Sequence, residues 1–398
     1  MNDIMSSFRW ANDGISPISV TQEYILPPEK RPNLTTVTSS QSISIPIIDM
    51  NNENEMTLVH EIAKACEEFG FFVLINHGIS QELCYNVLDV ITKFFNLPHE
   101  EKSQLLSNRV MDDGKIYRHH LIDPLTKKEV GMWSETLFHT WHPVEVGFIQ
   151  KLPQNPSHFR EVIASYAKEI GPLMDQLLSL ISQGFGLSKD YLQTRLEENP
   201  QYTAQANYSP PSPNPELTLG LQPHSDKKVL SIILQDQGIT GLHVLKDQQW
   251  IAIDPIPASL FVNVADQLQV LSNDKYTSVY HRVVNNNVKE RASYATFCGL
   301  NKDGLVSPIQ ELIDLQHPPL HPKYYYGDFL KFHRQKQNTI TQKLFSGQTT
   351  TFSLSVTKFT HPPIFRHPKL NFLIPKKSKL LIPSYHAPTL SFPLSPVF

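Results

Sequence analysis

The chain has 398 residues, 40% of them hydrophobic and 18% charged, and a formal net charge of −3 at pH 7. That length supports one large domain or two smaller ones with a substantial core, and a near-neutral charge without a basic, aromatic-interleaved stripe excludes an electrostatic footprint for nucleic acid. Residues 1–12 lack an apolar signal-like stretch, no run of about 18 apolar residues occurs, and Cys66, Cys84 and Cys298 form neither a disulfide framework nor a Cys-x-x-Cys metal motif; a cytoplasmic protein with no membrane partner is expected.

Residues 1–44 read as a lead-in segment. Over 45–150, Leu58, Val59, Ile62, Cys66 and Phe69, then Leu83, Val87, Ile91 and Phe94, recur at helical spacing. These two predicted helices flank an apolar run, Phe71 to Ile75, with the composition of a strand. The next region, 151–328, opens with a long predicted helix over 158–183 that carries Ile163, Tyr166, Ile170, Met174, Leu177 and Leu180. From about Thr203, short β-rich runs alternate with Gly, Pro and Asn turns, the pattern of an antiparallel double-sheet barrel. The expected fold class is α+β, mainly β, with helices bracing the sheets. Residues 329–398 contain no Asp or Glu, ten Lys or Arg and eight Pro, a net +10 that leaves −13 on the residues before them. This composition predicts an extended, basic, poorly packed tail with no catalytic role.

Within the β-rich region the chemistry concentrates at His224, Asp226, His281, Arg291 and Ser293. A His-x-Asp triplet arises roughly once by chance in a chain of this size, and a lone strand histidine is more often a hydrogen-bonded core residue than a ligand. The flanks add the weight. Asp226 precedes the strand-like run Val229 to Gln235, His281 lies within a second, Ser278 to Val284, and Arg291 opens a third, Ala292 to Phe297. Two imidazoles and one carboxylate can bind one face of a divalent iron and leave three positions open. An arginine with a nearby hydroxyl suits the far carboxylate of 2-oxoglutarate, because a guanidinium meets a carboxylate through two parallel hydrogen bonds.

Further pieces lie in the same order along the chain: Ile45-Pro46-Ile47-Ile48-Asp49, Phe69-Gly70-Phe71-Phe72-Val73-Leu74-Ile75-Asn76-His77-Gly78, Asn207-Tyr208-Ser209-Pro210-Pro211, Trp250-Ile251-Ala252-Ile253-Asp254-Pro255 and Val262-Asn263-Val264-Ala265-Asp266-Gln267. With the site residues, the stretch from about Ile45 to Tyr326 resembles the plant 2-oxoglutarate- and Fe(II)-dependent dioxygenases. That resemblance implies a double-stranded β-helix (jelly-roll) core and Fe(II) on His224, Asp226 and His281. It also implies 2-oxoglutarate bound by Arg291, Ser293 and Asn207, and O2 consumed to oxidise a small-molecule substrate, most commonly by hydroxylation, with release of succinate and CO2.

In one respect the chain departs from the family. Ser209 stands where most relatives carry a tyrosine that contacts the co-substrate, so a water-mediated reach from Ser209, a contribution from Tyr208 or a loosened co-substrate site is expected. In residues 133–143 and 159–163 the chain is most similar to hyoscyamine 6-hydroxylase-like enzymes of specialised metabolism. Residues 115–142 are expected to form a variable loop and strand over the pocket, with Arg118, His119 and His120 favouring a neutral or anionic ligand, and Phe297 and Leu300 adding apolar wall. A monomer is the expected state. The competing reading is a catalytically impaired jelly-roll that binds or senses a ligand.

Overall fold

The computed structural model describes residues 19–40, 43–123, 125–196 and 200–333. Its centre is two sheets, mostly antiparallel. The larger has eight strands in the order Ile47–Asp49, Phe71–Ile75, Leu260–Val264, Leu230–Gln235, Arg291–Gly299, Gln201–Ser209, Glu135–Thr140 and Lys115–Tyr117. The smaller has five, in the order Thr38–Ser39, Gln249–Ala252, Leu242–Lys246, Tyr280–Val283 and Leu221–His224. From Gln201 onwards the chain passes back and forth between the two sheets, which is the winding of a jelly-roll.

Period-2 alternation explains how the sheets close on each other. Phe71, Val73, Ile233, Phe261, Ala295 and Phe297 of the larger sheet form one buried cluster with Leu242, Val244 and Ile251 of the smaller. Each such side chain contributes about 1.5–3 kcal/mol by leaving water. The alternate residues of the large sheet are buried too, because helices Glu55–Glu68, Gln81–Phe95 and Phe159–Gly184 brace that side of the molecule. A strand covered on both faces reads as an unbroken apolar run, which accounts for Phe71 to Ile75.

The helix boundaries have local causes. Asn54 Oδ1 accepts from Thr57 N and Ser80 Oγ accepts from Leu83 N, capping the first two helices. Gly70, at φ +74°, turns the first helix into the Phe71–Ile75 strand, and a Cβ there would fall 2.2 Å from the Thr277 carbonyl oxygen. The helices predicted from apolar spacing and the strands around His281 and Arg291 form within a few residues of the expected limits.

Residues 115–142 are more ordered than a loop and a strand. Lys115–Tyr117 and Glu135–Thr140 join the edge of the large sheet, and His120–Ile122 pairs with Glu129–Gly131 as a separate hairpin. At the other end, residues 326–333 are helical with Phe329 buried, and the rest of the basic tail, 334–398, lies outside the described residues. Among the described residues no helix is long and apolar enough to cross a membrane. Cys66, Cys84 and Cys298 are buried free thiols.

Candidate active site

His224 and His281 sit opposite one another in the antiparallel pair of Leu221–His224 and Tyr280–Val283. Their side chains therefore leave the same face, with ring centroids 4.2 Å apart. Asp226 follows in the turn into Leu230–Gln235, where its carbonyl accepts the Asp266 amide at 2.8 Å and Asn263 Nδ2 donates to its Oδ2 at 3.4 Å. Asp226 Oδ1 is 3.8 Å from both His224 Nε2 and His281 Nε2, and the three ligand atoms lie within 4.8 Å of one another. On the far side of each ring, Nδ1 faces a carbonyl: Gln222 at 2.9 Å for His224 and Val279 at 3.3 Å for His281. Those carbonyls hold the proton on Nδ1 and leave each Nε2 lone pair turned towards the carboxylate.

Electrostatics favour the same protonation state. Burial, and then the adjacent His281, outweigh the attraction of Asp226 and push His224 down to about 3. Burial by itself would raise Asp226, but the two imidazoles pull its carboxyl below the usual carboxylate range. A neutral imidazole and an ionised carboxylate are the forms that bind a divalent metal. Two nitrogens and one oxygen on one side of an open position form the donor set that suits Fe(II). Next to His281, Arg282 lies 4.2 Å over the ring of Trp250, which stands two strands away in the smaller sheet.

A second cluster occupies the inner face of the large sheet. The pairing sets Ser209 opposite Arg291, Asn207 opposite Ser293, and Ser293 opposite Gln235, so all five side chains share that face. Arg291 is 4% exposed; its Nη2 donates to Gln235 Oε1 at 2.9 Å, while its Nε has no hydrogen-bond partner among the described residues. Burial lowers the guanidinium only to about 10, which leaves it cationic at neutral pH. A buried cation with an unused donor is costly until an anion completes it, and a carboxylate is the planar match. Gly241 provides the room, since a Cβ there would stand 2.6 Å from Arg291 Cδ and 2.7 Å from its Nε. Asn207, half-buried, accepts from Thr136 Oγ1 at 2.9 Å. These residues fit 2-oxoglutarate.

The site includes residues that sequence reasoning passed over. Gln235 steadies Arg291, Asn263 approaches Asp226, Thr136 holds Asn207, and Gly241 gives Arg291 its space. A polar residue at an interior position of an apolar strand, as in Leu260-Phe261-Val262-Asn263-Val264, was the available signal. Two expectations need correction. Tyr208 does not compensate for Ser209: it points to the opposite face, stacks on Phe95 at 5.4 Å and donates to Asn96 Oδ1 at 2.8 Å. Arg118 does not face the ligand side either; just past the end of Lys115–Tyr117, it pairs with Glu135 at 3.1 Å and donates to the Tyr24 hydroxyl at 2.6 Å. His120 is exposed beside Glu129, whereas Tyr117 and His119 turn inward. Phe297 joins the cluster between the sheets and Leu300 is fully buried.

Two imidazoles and a carboxylate on a jelly-roll, beside a buried receptor for a carboxylate, define a metal- and 2-oxo-acid-dependent oxygenase. Residues 201–300 match the 2OG-Fe(II) oxygenase superfamily, and residues 45–159 match the family described as non-haem dioxygenase in morphine synthesis N-terminal. Flavanone 3-dioxygenase 2 of Oryza sativa subsp. japonica is 38% identical over 78% of this chain and 88% of its own length. The DOWNY MILDEW RESISTANCE 6 protein of Arabidopsis thaliana is 35% identical over 80% and 92%. A crystal structure of JOX2 in complex with 2OG, Fe and JA is 33% identical, with a TM-score of 0.71 over 80% of this chain and 90% of that one.

The chain thus belongs to the plant 2-oxoglutarate- and Fe(II)-dependent dioxygenases. It is an oxidoreductase that uses Fe(II), 2-oxoglutarate and O2 on a small organic substrate, and its intact site gives no support to an impaired binding protein. Hyoscyamine 6-dioxygenase of Hyoscyamus niger, 33% identical over 78% of this chain, stands among these relatives and not ahead of them, so the likeness is to the family broadly.

Proposed function

We propose that His224, Asp226 and His281 hold Fe(II), that Arg291 and Ser293 grip the far carboxylate of 2-oxoglutarate, and that Asn207 borders the co-substrate. One observation carries the reading: three ligand atoms within 4.8 Å share the jelly-roll with a buried guanidinium whose Nε is unpartnered. Bound there, the metal with 2-oxoglutarate and O2 supplies an oxidation that releases succinate and CO2 and leaves the substrate hydroxylated. The carbonyls of Gln222 and Val279 fix both imidazoles, and Gln235 orients Arg291.

The substrate is a small plant specialised metabolite, neutral or anionic and oxygen-bearing. Across the large sheet, Tyr117, Thr136, Asn207, Ser293 and Gln235 stand directly opposite one another in a single row. That row contains no carboxylate to receive a cationic amine. A relative named for flavanone oxidation supports the same class. We further read residues 1–44 as a lead-in, 45–150 and 151–328 as the amino-terminal and catalytic regions, and 329–398 as a tail outside the catalysis. The working form is a cytoplasmic monomer that takes no nucleic acid.

Anaerobic protein given Fe(II) and then 2-oxoglutarate is expected to develop the visible charge-transfer band of a chelated 2-oxo acid, and Asp226→Ala to lose it. A well-folded wild-type protein without the band sinks this assignment.

A further inference from the structure

Two neighbouring buried polar atoms have no hydrogen-bond partner among the described residues. Tyr117, 2% exposed, ends the edge strand Lys115–Tyr117, and its hydroxyl has no hydrogen-bond partner among the described residues. His119, two residues beyond the end of that strand, contacts the Tyr117 ring edge-on with centroids 4.9 Å apart, and its Nε2 is likewise buried with no hydrogen-bond partner among the described residues. Each group could have formed an internal bond, as Tyr294 does with His139 and Tyr208 with Asn96. Among the described residues fourteen buried side-chain polar atoms have no hydrogen-bond partner, the hydroxyls of Tyr166, Tyr276 and Tyr326 included, so what distinguishes this pair is its ring contact and its place at the end of a polar row.

Their position argues for substrate. Tyr117 ends the polar row that runs through Thr136 and Asn207 to Ser293 and Gln235, so one end of the row meets the co-substrate cluster and the other is this pair.

We infer that the Tyr117 hydroxyl and His119 Nε2 form a polar clip for a hydroxyl group on an otherwise flat, apolar substrate, and so decide which carbon faces the metal. The inference rests on the oxygenase reading above. A phenol and an imidazole can each donate or accept, which suits an oxygen better than an ammonium group. Thr136 is already engaged with Asn207, so it is not a third arm.

The test is calorimetric titration of the full chain, with and without Fe(II) and 2-oxoglutarate, using 4′,5,7-trihydroxyflavanone and unsubstituted flavanone. Wild type is expected to bind the trihydroxy compound more tightly, Tyr117→Phe and His119→Phe each to weaken that binding about tenfold, and the unsubstituted compound to bind all three proteins alike. The site of oxidation is expected to become mixed in the variants. An unchanged circular dichroism spectrum and an unchanged 2-oxoglutarate charge-transfer band show that the variants are folded. Equal binding of the trihydroxy compound by wild type and both variants overturns the clip, as does failure of wild type to bind it. Variant-sensitive binding without any charge-transfer band leaves the clip standing and removes the oxygenase reading instead.

Discussion

At Gly241 a hydrogen occupies the place where any other residue would put a carbon 2.6 Å from Arg291 Cδ. Gly241→Ala is therefore expected to displace the guanidinium and raise the KM for 2-oxoglutarate while the fold persists, which co-substrate titration of succinate release would show. Arg291→Gln removes charge-assisted bonds worth about 1.5–3 kcal/mol and is expected to raise that KM by roughly 10- to 100-fold; an unchanged KM contradicts the clamp. Tyr208→Phe makes the contrast. Its hydroxyl bonds to Asn96 on the helical side, so its loss is expected to cost about 1 kcal/mol of stability and to leave 2-oxoglutarate binding as it was. Arg291 was visible in the sequence as a charge before an apolar strand, but Gln235 and Gly241 were not, because their roles depend on cross-strand neighbours.

Among the secondary elements, periodicity carried most of the information. Leu83, Val87, Ile91 and Phe94 mark a helix in the sequence because they must share one buried face, and they do so in Gln81–Phe95. Its cap is a local interaction too: Ser80→Ala is expected to cost about 1 kcal/mol, read as a lower urea midpoint with unchanged slope. Residues 115–142 resisted this approach. Their strands are three to six residues long, too short for alternation to register, and two of them exist as part of the large sheet only because Glu135–Thr140 finds Gln201–Ser209. Arg118 illustrates the consequence. Its charge suggested a ligand contact, yet it lies just past the end of Lys115–Tyr117 and pairs with Glu135 instead.

For the molecule as a whole, stability is expected to fall on the acid side. His139 is buried between the large sheet and the Phe159–Gly184 helix, donating from Nδ1 to the Thr140 carbonyl at 2.8 Å and accepting from the Tyr294 hydroxyl at Nε2 at 2.9 Å. Burial holds it down to about 4, against an ordinary value of 6.5. The unfolded chain therefore binds a proton that the folded one refuses, and stability is lost as pH falls from about 6.5 to about 4, by on the order of 3 kcal/mol. Urea melts of metal-free protein at pH 7 and pH 4.5 would measure the loss. His139→Gln is expected to be weaker at pH 7 but to show a shallower decline, and an equal decline would assign the effect to other groups.

The sequence by itself determined the ligand types, the three long helices and the succession of strands, since side-chain chemistry and apolar spacing are local properties that survive without a partner. Tertiary structure alone decided which residues meet. His224 and His281, separated by more than fifty positions, become opposite neighbours only in a paired ladder. Tyr208 and Ser209, adjacent in the chain, end on different sides of the sheet. Which face a strand residue takes is set by its register against other strands, and register is fixed when the two sheets bury their apolar sides together.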